Sequence, residues 1–500
     1  MAGVPQQACP TRGRVPIAGA RGWSGRRDEY DVQGKAAGAG IESEAGNPGC
    51  YTARGMAVTN IADAPLAALT TASSARALGQ RLRAARARTL ALAAGLEGAR
   101  ERSPRLAILN PPLWEFGHLA WFQERWCLRW QAPDRFGDSL RADADSLYDS
   151  SQVAHATRWD LPLPGWTAVM DYLAAVDEAI QARLEREPDH AALRYFAELA
   201  TAHEEMHGEA FVYTWQTLGY EAPATSGVGP GDRFEAVAGD VQLPGGAYQL
   251  GATPGQAFVF DNEKWAHPVT MAPFAIARAA VTHGEFAAFV DAGGYGQASG
   301  WTPEGWRWRL AAGAEHPVYW RRQPGGWEHR VFDRWQPLTR DSAVVHVNAH
   351  EADAWCRWAG RRLPREAEWE QAAATAPAAP EGIKKRVTPW GAAAADAMHA
   401  NLHGGPGGVV SVQAYSAGDS AWGLRQAFGN VWEWTADTFA PYPGYVRDPY
   451  REYSEPWFGS HRALRGGCHA TAPALLRTTW RNFFTPERRD VIAGFRTCAT

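Results

Sequence analysis

The pattern of apolar and polar positions divides the chain into stretches of different texture. Between about residues 60 and 222 apolar side chains recur at every third or fourth position, the spacing of helices that each bury one face. Residues 65–98 mix Ala, Leu and Arg in this way and predict a first helix. Asn110, as a cap, with prolines at 111 and 112, announces a second that runs on through LWEFGHLAWFQERWCLRW. The stretches 165–186 and 189–218 predict a third and a fourth, the last ending before Gly219. Four such helices with modest connections predict an antiparallel bundle over 60–222.

Residues 223–236, rich in Pro, Gly and Ser, read as a linker. From 237 to 500 the texture changes to short apolar pieces broken by Gly and Pro. Clear helical patterns remain at 348–360 and in the following LPREAEWEQAAA, so this part is expected to be an irregular α+β domain. At the other end, residues 1–57 carry neither helical nor alternating periodicity. They are expected to be a disordered extension, and Met56, just before the first patterned segment, is the expected physiological start.

Composition narrows the function classes. Fifty Lys and Arg against 54 Asp and Glu give a formal charge of −4, which offers no basic excess to nucleic acid or an anionic membrane. The chain has no apolar run long enough to span a bilayer and no basic-then-apolar leader, and its six cysteines form no CxxC pair. A reducing, cytoplasmic setting is expected. Tryptophan is over-used: 24 residues outnumber 18 Phe and 15 Tyr, and 16 of the 24 lie after residue 236. The second domain is therefore where the indoles are consumed.

The sharpest chemical signal is TAHEEMHGEA on the fourth helix, where His203 and His207 stand one turn apart on one face, as two ligands of one metal require. His118 on the second helix can face them across a bundle core. Three neutral imidazoles leave half of an octahedron open, which suits iron(II) binding a soft ligand together with dioxygen. HEEMH also satisfies H-E-x-x-H, so a zinc peptidase with Glu204 as general base is the rival reading. Its extended form fails at Ala210, and Glu221 would have to serve as a distant third ligand. A lectin-like binding protein is the non-enzymatic alternative, and it leaves the three histidines unexplained.

Taken with VVHVNAHEADAWCRWAGRRLPREAEWE (344–370), FGNVWEWTAD (428–437), LRGGCHA (464–470) and RTTWRNFFTPERRDVIAGFR (477–496), the histidine pattern resembles the nonheme iron sulfoxide synthases of ergothioneine biosynthesis over about 60–500. That resemblance implies an all-α DinB-like four-helix bundle followed by an α+β domain of the formylglycine-generating-enzyme and C-type-lectin-like fold. It implies Fe(2+) held by His118, His203 and His207, and oxidative joining of a thiol or selenol donor to C2 of the hercynine imidazole with O2. A proton-donating tyrosine is matched by Tyr442, with Tyr445 second. The substrate strand is matched by Asn482, Phe483, Phe484 and Arg488, with Trp432 and Trp434 as contributors to an aromatic cage or to the core.

Departures from the family pattern bear on the donor. Met206 stands where mycobacterial-type members have Gln, and Phe484 where they have an acid. The stretch 147–166, which usually carries paired arginines for γ-glutamylcysteine, has Arg158 alone. Each missing charge-assisted bond is worth about 1.5–3 kcal/mol. The pattern resembles the selenoneine synthases best and implies a selenosugar donor, with γ-glutamylcysteine or cysteine as the alternative. Formylglycine-generating activity itself is excluded, because Cys468 within RGGCHA is followed by no second cysteine until Cys498.

Overall fold

Ser74 opens the described part of the chain, and its side chain accepts from the Ala77 amide to cap α1 (Ala75–Ala93). The computed structural model describes residues 74–223, 234–255, 258–377, 385–391, 394–403 and 407–500, all within one compact unit, Arg54–Thr500. The expected extension 1–57 with Met56, residues 65–73 of the first predicted helix and most of the linker fall outside the described residues.

α2 (Pro112–Gln123) starts on the proline pair, as predicted, and passes into a π-helical turn, Glu124–Arg129. Its cap position is Pro111. Asn110 does not cap; its side-chain oxygen accepts from Arg158 Nη1 at 2.6 Å. A two-strand hairpin (Trp130–Ala132 with Arg135–Phe136) and the five-residue α3 (Ala144–Tyr148) then follow, both too short to leave a periodic signature. α4 (Trp166–Arg186) and α5 (Ala191–Leu218) match the predicted third and fourth helices, and α5 ends on Gly219 at φ +66°. α1 and α2 each pack against both α4 and α5, which closes the bundle.

α6 (His283–Asp291) and α7 (Pro303–Ala312) are short helices that the sequence pattern did not single out. α8 (Ala349–Trp358) and α9 (Glu366–Ala374) stand where it placed helices. Side-chain and backbone bonds between Asn348 and Glu351 cap α8 in both directions. Two four-stranded sheets organise the rest. One orders Arg361–Arg362, Cys498–Ala499, Phe274–Ala277 and Asp240–Leu243. The other orders Asn482–Phe484, Arg462–Arg465, Trp432–Thr438 and Ala493–Gly494, the last pair parallel. In the second sheet Leu464 pairs with Asn482 and with Trp434, so the RGG and RNFF motifs run side by side.

The core of this domain is built on buried ion pairs framed by indoles. Arg496 is fully buried and grips Glu433 through two bonds of 2.6 and 2.7 Å, while Trp369 donates to the same carboxylate at 2.7 Å. Arg481 grips Glu366 twice at 2.8 Å, and Arg465 bridges Glu366 and Glu370. Trp434 donates to the Val347 carbonyl at 2.9 Å. Several of the tryptophans thus act as fixed beams whose N–H groups find an acceptor, although among the described residues the buried indole nitrogens of Trp390 and Trp480 have none. Glu433→Ala would strand the Arg496 charge and the Trp369 N–H together. We expect it to lower stability by about 3–5 kcal/mol, read as a large drop in the urea midpoint followed by tryptophan fluorescence.

Candidate metal centre

His118, His203 and His207 come together where α2 packs on α5. One ring nitrogen from each lies within 4.8 Å of the other two, a triangle that one ion can span, and no other such group occurs among the described residues. His203 and His207 project from one face of α5, as the i, i+4 spacing predicts. Burial holds the His118 and His203 imidazoles well below the usual histidine range, and the neighbouring imidazoles push the same way. They are therefore neutral, with lone pairs available to a metal.

Each ligand is held differently. His118 Nδ1 donates to the Tyr148 carbonyl at 2.8 Å. That approach depends on Gly117: a Cβ there would lie 2.1 Å from the Tyr148 ring. His207 Nδ1 donates to Glu115 Oε1 at 2.5 Å, from a carboxylate only 2% exposed. His203 lies flat on Phe122, with ring centroids 3.7 Å apart and planes at 4°, and its Nδ1 is buried with no partner. These three holders, Tyr148, Glu115 and Phe122, carry no sequence signal of their own beyond lying in or near the GH-bearing helix.

Glu204 turns away from the histidines. Arg86 donates to it at 2.8 and 3.2 Å, and Gln123 adds a third bond. A peptidase general base is therefore missing from the centre, which removes the structural support for the H-E-x-x-H reading. Glu209, one half-turn beyond His207, accepts from Trp432 Nε1 at 2.7 Å and from Thr471 Oγ1 at 2.5 Å, and so joins α5 to the second domain. Burial raises its carboxyl above the usual range. Arg88 on α1 adds a bond to the Ala470 carbonyl at 2.6 Å.

The other sequence-derived candidates divide. Met206 sits beside the ligands, its sulfur accepting from the Tyr453 hydroxyl at 3.6 Å. Phe483 stacks on Phe439 at 4.1 Å and meets the Tyr453 ring edge at 5.8 Å. Arg488 is held by Asp490 through bonds of 2.6 and 2.5 Å, and lies over the Phe484 ring at 5.2 Å and the Tyr213 ring of α5 at 5.9 Å. Asn482 accepts from the Phe483 amide at 2.9 Å.

Trp432 belongs to the interdomain joint and is fully buried. Among the described residues no hydrogen bond or ring contact joins Tyr442 or Tyr445 to the three histidines. Tyr442 packs with Tyr248, Leu250 and Ala367 under Arg481, and the Tyr445 hydroxyl donates to Asp261 at 2.8 Å. The tyrosine whose ring meets a ligand ring is Tyr450, 6.3 Å from His203 and 4.9 Å from Phe122. Tyr450 and Tyr453 come from DPYREYSEP, a polar aromatic run that could have been noticed but has no spacing that marks it.

Residues 81–214 match the DinB superfamily, and residues 227–500 match the sulfatase-modifying factor enzyme 1-like domain. The chain is 37% identical over 430 residues to the hercynine oxygenase of Mycolicibacterium smegmatis, covering 84% of this chain and 97% of that protein. The chain belongs to the hercynine oxygenase family. The hercynine oxygenase of Mycobacterium tuberculosis is 36% identical over 427 residues, covering 85% of this chain and 99% of that protein. The formylglycine-generating enzyme of Streptomyces coelicolor is 33% identical over 302 residues, but covers only 54% of this chain and 92% of that protein. Membership of the hercynine oxygenase family makes the chain an oxidoreductase with a DinB-like bundle and a lectin-like α+β domain, and sets aside the binding-only reading. Cys468, at the place that suggested comparison with the formylglycine-generating enzymes, is a fully buried thiol whose pKa burial raises well above the usual value. Among the described residues no helix is long and apolar enough to cross a membrane.

The three-histidine group and the Glu209 joint each suggest a test. Because the folded state disfavours protonated His118 and His203, the unfolded chain takes up protons that the fold refuses once pH falls through about 6.5. Stability of the metal-free protein is expected to be level above that pH and to fall below it, by up to about 1.4 kcal/mol per pH unit for each histidine, measured by urea unfolding from pH 8 to 5. Trp432→Phe removes the indole bond to the buried Glu209 carboxylate. It is expected to cost about 1.5–3 kcal/mol and to raise the hydrogen-exchange rate of amides around Thr471 and on the facing turn of α5.

Proposed function

We propose that the chain catalyses iron(II)- and dioxygen-dependent formation of a carbon–sulfur or carbon–selenium bond at C2 of the imidazole of hercynine. The observation that carries this reading is the three-histidine set, each member backed by a separate holder and two of them, His118 and His203, buried and held below the usual histidine range, beside a segment of the second domain whose Tyr450 ring meets His203. The residues fit an iron ion: three nitrogen donors from one side, with the carboxylate of the competing motif withdrawn. Iron, when bound, supplies the redox chemistry that joins the chalcogen to carbon.

The protein side of the reaction is binding, orientation and proton delivery. A trimethylammonium group has no N–H to donate and is held by aromatic faces, for which Phe483, Phe439 and Tyr453 form a contiguous group. Met206 next to His207 offers a soft, uncharged wall. The proton-donor role moves from Tyr442 and Tyr445 to Tyr450, with Tyr453 beside it. Burial raises the pKa of the Tyr450 phenol, so it keeps its proton at neutral pH, as a general acid must.

For the donor we favour a less anionic molecule than γ-glutamylcysteine, a selenium-bearing sugar. Arg488 is already neutralised by Asp490, and Arg158 is tied to Asn110 with the Glu115 charge nearby. A dicarboxylate peptide would have to compete with Asp490 for Arg488 and displace the Asn110 side chain from Arg158. The relatives' names speak for the hercynine half of the reaction and leave the chalcogen donor open.

An oxygen electrode with iron-loaded protein tests this reading. Oxygen uptake should require hercynine and a donor together and run faster with the selenosugar than with γ-glutamylcysteine; the reverse order would assign the peptide donor. Stoichiometric zinc with peptide cleavage would overturn the whole reading. Tyr450→Phe is expected to lower kcat by about 100-fold with hercynine affinity little changed, while Tyr442→Phe leaves kcat within a few-fold of wild type.

A further inference from the structure

The three imidazoles at the centre are chemically alike but differ in what lies behind them: a carboxylate behind His207, a neutral carbonyl behind His118 and an aromatic face behind His203. Glu115 is the unusual member. It stands on the first turn of α2, 2% exposed, and among the described residues its carboxylate has one hydrogen bond, the 2.5 Å contact to His207 Nδ1. A buried carboxylate is costly unless it is well paired. Arg158, whose guanidinium feels the Glu115 charge, does not pair with it; Arg158 lies over the Trp114 ring at 3.9 Å and donates to Asn110. The negative charge of Glu115 is therefore directed through a single proton onto one ligand of the centre.

We infer that Glu115 is a positioning residue that makes His207 the strongest donor of the three and thereby sets both the affinity of the centre for its metal and the balance between its two oxidation states. This rests on the metal-centre reading above and adds a ranking to it: His207 backed by charge, His118 by a dipole and His203 by stacking alone. An anionic acceptor on Nδ1–H raises the basicity of the far ring nitrogen more than a carbonyl does, and partners of this kind are worth about 10–100-fold in metal affinity. The carboxylate also favours the more highly charged ion, because its own charge lies one ring away from the metal.

Glu115→Gln separates the electrostatic from the structural role. The amide keeps an oxygen that can accept from His207 Nδ1–H, so the ring stays held while the charge is lost. The experiment titrates metal-free wild type and variant with Co(II), reading the d–d bands and competing with a chelator of known affinity, and measures the Fe(III)/Fe(II) potential of the iron-loaded proteins. Circular dichroism and thermal unfolding of the metal-free forms control for folding. Expected are an about 10–100-fold weaker Co(II) affinity and a higher potential in Glu115→Gln; Glu115→Asp, which keeps the charge but draws it back from His207, is expected to shift both in the same direction by less, and serves as the second variant if the Gln protein does not fold. Wild type that binds Co(II) tightly together with variants within threefold in affinity and unchanged in potential would overturn the role of Glu115. Wild type that binds no Co(II) would overturn the metal-centre reading itself.

Discussion

One turn of α5 has to satisfy two partners at once. His203 and His207 face α2 across the bundle, while Glu209, two residues on and so about 200° around the helix, faces the second domain. Its buried carboxylate is clasped there by the Trp432 indole and the Thr471 hydroxyl. Moving the second domain relative to the bundle would leave a carboxylate without its donors in a place water does not reach. The ligands and the joint share a rigid segment, so the aromatic wall that the second domain supplies is held in register with the centre that the bundle supplies.

The second domain can act as such a wall because its own frame is stiff. Fully buried arginines are expensive, and here each is matched by a carboxylate on a different element: Arg496 on Glu433, Arg481 on Glu366, Arg465 on Glu366 and Glu370. The glutamates come from the WEW and EAEWE motifs, which explains why indoles and acids alternate in those runs. Large rings fill the volume around the ion pairs, and their N–H groups close the remaining acceptors. The tryptophan excess is thus mostly the price of building an irregular domain with few long elements.

Legibility in the sequence followed the range of the interactions. The i, i+4 histidines, the proline-led start of α2, the Gly219 stop and the capped α8 are local, and the spacing alone revealed them. What supports the histidines is not local. Glu115 lies three residues before one ligand yet bonds another, 92 positions away, and Tyr148 contributes a backbone carbonyl, which any residue type could supply. Tyr442 and Tyr445 are singled out by the family resemblance, which implies a proton-donating tyrosine and matches it to Tyr442 with Tyr445 second. In the structure they serve the ion-pair frame and Asp261, and the rings that reach the centre are Tyr450 and Tyr453, a few residues further along the same loop. The short hairpin and α3, with too few residues for any period to show, were invisible for the same reason that Asn110 misled: their partners are set by the fold.

The absent side chain at position 117 has a meaning beyond letting a ring pack. With the Tyr148 phenol seated on the bare backbone of α2, the chain between the hairpin and α4 is keyed into the helix at the residue next to a ligand. One side of the centre is thereby closed to variation, since altering it would disturb the ligand as well as the lining. On the side where Tyr450 meets the His203 ring and Tyr453 meets Met206, the contacts are between side chains and do not rest on a missing Cβ. A substitution on that side would alter the lining of the centre without touching the backbone contact that holds His118.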